Sequence, residues 1–170
     1  MAVILFGVLA LSNGCASNTP TKVEQSSNNS QPTEAQPRDL EKAVASDFAD
    51  RVVIPSYRLL VQKADGLSKA VDAFVSNPND ETLKAAQEAW RATRVPWEQS
   101  EAFAFGPASS LGYDGDLDDW PVNEADVIAV LKSNTKLTPE SIKQLQTTQK
   151  GFHTIEYLLF GLNNDRKASD

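Results

Sequence analysis

The chain has 170 residues, 41% of them apolar and 23% charged, which is enough to build the core of one domain or a little more. Sixteen Lys and Arg against 23 Asp and Glu leave a net charge of −7, a balance that argues against nucleic acid, whose binding domains carry basic patches. The single Cys excludes an intrachain disulfide and a Cys-rich zinc site, and the single His excludes any site built from two imidazoles of this chain.

Ala2 to Leu11 is almost wholly apolar. A run of about ten residues is the length of a secretory h-region and too short to span a membrane. The sequence Leu11-Ser12-Asn13-Gly14-Cys15 follows, and small residues before a Cys resemble the lipobox of bacterial lipoproteins. Residues 1–14 are therefore expected to be a signal peptide and Cys15 the lipidated residue, with a buried structural Cys as the alternative. The resemblance departs in two places. Leu11 stands four residues before the Cys rather than three, and no Lys or Arg precedes Ala10, which points to a start upstream of Met1. In lipoproteins of this type Ala at position 16, rather than Asp, implies the outer membrane, facing the periplasm or the surface.

Residues 15–38 are rich in Ser, Asn, Gln, Thr and Pro, with Val23 the one large apolar residue after the Cys. Such a segment cannot bury enough surface to offset its ordering entropy, so a flexible tether is expected. The folded domain is expected over residues 39–170. Leu40, Val44, Phe48 and Val52 recur at helical spacing until Pro55, which should interrupt or kink the helix. Leu60, Ala64, Leu67, Val71 and Phe74 form the apolar face of a second helical stretch. Asn77-Pro78-Asn79-Asp80 is a turn ending in an N-cap candidate, and Leu83, Ala86, Trp90 and Trp97 continue at helical spacing. Pro96 should kink that helix near Trp97. Residues 106–121 read as a loop with four Asp. Asn123 can cap a short helix holding Val127, Val130 and Leu131, and Thr138 can cap another with Pro139 in its favoured first position. No strand alternation is evident, so the fold class is all-α, an antiparallel helical bundle.

The last helix carries the chemistry. Ile142, Leu145, Gln149, Phe152, Glu156 and Leu159 form one core-facing stripe that includes a carboxylate. A carboxylate on a core face must be paired or must bind a metal. His153 lies three residues before Glu156, so the two are neighbours on one helix surface. They make either a hydrogen bond that ties helices together or a pair of metal ligands; a metal site needs at least one more ligand from elsewhere.

The stretch from Gly151 to Gly161 resembles the GxHxxE signature of the imelysin family. Trp90, Arg94, Trp97, Glu101, Phe103, Gly106 and Pro107 are similar to its W…R…E-x-F-x-x-G-P stretch, and Trp120-Pro121 to its Trp-Pro after an acidic loop. The resemblance covers roughly residues 39–162. It implies an all-helical fold in two halves, of which this chain matches the N-terminal one, truncated on its C-terminal side. It also implies a metal site with His153 and Glu156 as ligands, Glu101 a candidate third, and Gly151, Arg94, Trp90, Trp97 and Trp120 as motif or lining residues.

The family includes iron-regulated lipoproteins and insulin-cleaving metallopeptidases. One imidazole with several carboxylates favours iron, with zinc and calcium left open. Neither His-Glu-x-x-His nor His-x-x-Glu-His is present, since position 157 is Tyr157. The implied function is an envelope lipoprotein that binds iron or a ferric chelate as an accessory to iron-uptake proteins, touching the membrane only through its lipid. The first alternative is a metallopeptidase with Glu156 as general base; the second is a tethered bundle that binds a partner protein. Arg94 should pair with Glu98 or Glu101. Asp114, Asp116 and Asp118 alternate as in an EF-hand, but Asp119 and Ala125 stand where Gly and Glu are required, so a solvated acidic loop is expected.

Overall fold

The computed structural model describes residues 37–134 and 136–170. The expected signal peptide, Cys15 and nearly all of the expected tether lie outside the described residues. Pro37 and Arg38, placed by sequence in the tether, instead open helix α1 (Pro37–Phe48), where the fixed φ of Pro suits a first turn. Among the described residues every regular element is helical, and none is long and apolar enough to cross a membrane.

α1 does not break before Pro55. A π-helical turn (Ala49–Val53) carries the chain directly into α2 (Ile54–Ser76). Pro55 has no N–H to close on the Arg51 carbonyl, and the wider turn lies immediately before it. The Ser56 hydroxyl donates to the Val52 carbonyl at 2.7 Å. The apolar stripe of α1 is helical as expected but stays exposed, at Leu40, Val44, Phe48 and Val52 alike.

α3 (Asp80–Ser100) folds back antiparallel on α2 after a three-residue turn. Asn79 caps it, with Oδ1 accepting from the Glu81 and Thr82 amides, both at 3.0 Å, while Thr82 Oγ1 accepts from the Asn79 amide at 3.2 Å. Asn79→Ala is expected to lower stability by about 1 kcal/mol, read as a reduced urea midpoint with an unchanged slope. Pro96 lies buried within α3, which continues to Ser100. Glu101–Phe103 then tighten into a 3₁₀ turn.

The expected loop over 106–121 holds two short helices, α4 (Pro107–Ser110) and α5 (Tyr113–Asp118). α6 (Glu124–Lys132) is capped by Asn123 and α7 (Pro139–Lys143) by Thr138, as their sequences predict. The last stripe is not one helix. α7 ends at Lys143, a 3₁₀ turn covers Thr147–Gln149, and α8 spans Gly151–Phe160. Ile142 is consequently exposed, while Phe152 and Leu159 are core.

The core sits between α2, α3 and α8. Leu67, Leu83, Ala86, Trp90, Trp97, Phe152, Leu159 and Phe160 pack together. Trp90 meets Phe160 and Trp97 meets Phe152, with ring centroids 5.3 and 5.7 Å apart, so α3 and α8 run antiparallel. Two bonds lock that pairing. Trp90 Nε1 donates to the Phe152 carbonyl at 3.0 Å, and Gln87 Nε2 to the Leu159 carbonyl at 2.8 Å.

Candidate functional site

Packing α8 against α3 brings His153 and Glu156 beside the end of α5. Gly151 makes the approach possible. It has φ +86°, and a Cβ there would lie 2.5 Å from the Leu117 carbonyl oxygen. The Gly at the start of the motif thus has a steric reason in this fold.

Asp118 is the centre of the cluster, with its side chain only 8% exposed. Its Oδ1 pairs with Arg94 and faces His153 Nε2 at 3.2 Å, and its Oδ2 accepts from Trp97 Nε1 at 2.6 Å. Arg94 also pairs with Glu98, and its guanidinium lies 5.3 Å from the Phe152 ring centroid. The Arg94–Glu98 expectation therefore holds and Arg94–Glu101 does not. A buried carboxylate served by a cation and an indole N–H is the satisfied form of an otherwise costly group.

The expectation of a solvated acidic loop is corrected for most of the segment. Asp116 pairs with Lys150 at 2.8 Å and Asp119 accepts from the Thr147 hydroxyl. Position 118 was legible only as part of an acidic run. Its partners lie on two other elements, and nothing local in the sequence marks it as buried.

His153 Nδ1 lies 3.0 Å from Glu156 Oε2. The His–Glu neighbour relation read from the helical spacing is thus present, and each ring nitrogen faces a carboxylate. A neutral imidazole has one N–H. In this geometry it is the Nδ1–H, given to Glu156, the more exposed carboxylate; a ligand that takes Nδ1 would leave the proton on Nε2, which faces buried Asp118. The exposed Trp120 ring stands edge-on to His153, centroids 4.8 Å apart. His153, Glu156, Trp120, Glu124, Tyr157 and Phe160 line a cavity of about 320 Å³.

Glu101, the candidate third ligand, is not brought to this cluster. The chain tightens at the end of α3, and Glu101 lines a separate groove with Tyr57 and Tyr113. Among the described residues no three His, Cys, Asp or Glu side chains converge as a metal requires. Asp118 and Glu156 flank opposite nitrogens of one ring, so they cannot hold the same ion together with it. The residues described do not fit a resident metal centre. What they offer is one cis pair, since two donors about 2.1 Å from one ion at right angles lie about 3 Å apart, as Nδ1 and Oε2 do.

Comparison with known proteins agrees with the motif. The family model for imelysin matches residues 53–170. Iron-regulated protein A of Synechococcus elongatus is 40% identical over 113 residues, covering 66% of this chain and 30% of that protein. An imelysin peptidase from Bacteroides ovatus superposes with a TM-score of 0.60 at 31% identity, over 75% of this chain and 36% of that one. A protein assigned as an iron-regulated protein A precursor from Parabacteroides distasonis gives 0.63 at 34% identity, over 78% and 36%. The chain thus spans about a third of the length of these relatives.

Proposed function

The chain belongs to the imelysin family, and on that premise we propose that it has an iron-related role in which His153 and Glu156 take up a chelated ferric ion as cargo. The relative's name, iron-regulated protein A, supports the iron-related part. The observation that carries the rest is an imidazole with a carboxylate at each nitrogen, one buried and one exposed enough to share a ligand. Two protein donors cannot hold a bare ion against water. They can complete an ion that arrives with most of its positions already filled. The cavity of about 320 Å³ beside them is at the small end of ligand pockets.

The other residues of the cluster act on His153. Asp118 fixes the ring's orientation and tautomer, as outer partners of ligand histidines do. Arg94 and Trp97 hold Asp118 in turn, so the order of dependence runs from α3 through α5 to α8. With Cys15 as a lipid anchor the module would work at the cell envelope, as an accessory to iron uptake.

Ferric nitrilotriacetate is a suitable probe because it keeps two adjacent positions open. His153→Ala and Glu156→Gln are each expected to weaken its binding at least about tenfold, measured by isothermal titration, with helix content by circular dichroism unchanged. Unaltered affinity in both variants would remove the basis for the proposal. Chelator-sensitive hydrolysis of a denatured protein, lost in Glu156→Gln, would support the peptidase reading instead.

A further inference from the structure

A groove of about 890 Å³ lies between α2, the end of α3 and the α4–α5 segment. Of the His153 cluster only Trp97 lines it. Trp97 gives its indole N–H to Asp118, and its ring forms part of the groove wall. Tyr57, Leu60 and Leu117 supply further apolar wall, and Tyr113 stands half-exposed at the edge. The volume falls in the range of small-molecule sites, which are apolar with a few placed polar groups.

The charges on this groove are all of one sign. Glu101 and Asp114 line it, and no Lys, Arg or His does. Among the described residues neither carboxylate has a hydrogen bond or an ion pair. Asp114 differs in this from Asp116, Asp118 and Asp119 on the same segment, each of which is partnered. Free carboxylates over aromatic walls repel anions and attract cations, and aromatic faces add a cation–π contribution.

We propose that this groove binds an organic cation with an apolar body, its ammonium answering Glu101 and Asp114 and its hydrocarbon or ring lying on Tyr57, Leu60 and Trp97. The site is independent of the ferric one and stands or falls without it.

The test uses the full chain and three probes of one shape: tryptamine, neutral 3-ethylindole and indole-3-propionate. Isothermal titration should rank tryptamine tightest and the acid weakest. The double variant Glu101→Gln, Asp114→Asn should weaken tryptamine about tenfold, to the level of 3-ethylindole, and should leave 3-ethylindole unchanged. Leu60→Trp, which fills the groove, should weaken tryptamine and 3-ethylindole together. Glu156→Gln should leave tryptamine as in wild type, separating this site from the ferric one. Absence of tryptamine binding, equal binding of tryptamine and the acid, or an unaltered tryptamine affinity in the double variant would each overturn the proposal.

Discussion

Replacing Asp118 by Ala is expected to lower the unfolding free energy by about 3 kcal/mol and to weaken ferric chelate binding by about tenfold to a hundredfold. The stability effect follows from what the change leaves behind. Arg94 and Trp97 Nε1 lose their acceptor and His153 Nε2 the carboxylate it faces, in a place where Asp118 is 8% and Arg94 15% exposed. An unpaired, largely buried guanidinium is the most costly of the three. Glu98 remains its partner but is half-exposed, and so offsets only part of the loss. Asp118→Asn keeps an acceptor for Arg94 or Trp97 and loses the charge, so it should fall between wild type and the Ala variant. Denaturant unfolding measures the first effect. For the second, the titration is run at a temperature where the variant is still folded. A destabilised variant that binds the chelate as well as wild type would show that Asp118 holds the helices together without positioning His153.

The second large effect is expected at Gly151. Gly151→Ala should cost about 3 kcal/mol or more, combining about 1–2 kcal/mol for a positive φ with the displacement of a backbone carbonyl. The Cβ would lie 2.5 Å from the Leu117 oxygen and 2.8 Å from its carbon, both backbone atoms that no rotamer change can move aside. Relief requires α8 to retreat from α5, which carries His153 away from Asp118. The variant should therefore lose stability and chelate affinity together. Gly66→Ala is the control, because Gly66 lies within α2 with open space where a Cβ would go. That change should be neutral or should add about 0.5–1 kcal/mol. A Gly151→Ala protein as stable as wild type would mean that α5 and α8 do not approach as closely as described.

The parts of the fold that sequence made legible are those fixed by periodicity and by local capping. The stripe through Leu83, Ala86, Trp90 and Trp97 is buried as its spacing implies, and the Asn123 and Thr138 caps are where their residue types place them. The His153–Glu156 pair was legible for the same reason, since neighbours three apart on a helix depend on nothing distant.

Four features were not legible, each for a physical reason. The stripe from Ile142 to Leu159 keeps helical spacing across two breaks, because periodicity records which residues are apolar and does not record a Gly with positive φ. The α1 stripe is periodic as well, yet exposed, since spacing cannot say what covers a face. Glu101 sits one residue beyond α3, where 3₁₀ winding turns it away from Arg94, so a position counted on a continuous α-helix was wrong. Asp118 completes the site from a separate segment. Its importance lies in contacts with residues far along the chain, and a lone aspartate in an acidic run carries no signal of that.

The central claim is that His153 Nδ1 and Glu156 Oε2 complete the coordination of a ferric ion that arrives already chelated. The most direct measurement compares two chelates on the wild-type chain by isothermal titration. One is ferric nitrilotriacetate, with two adjacent open positions, and the other is a ferric tris-hydroxamate, whose positions are all filled. The account predicts one-to-one binding of the first and none of the second at the same concentration. Equal binding of both, or binding of neither, would contradict it.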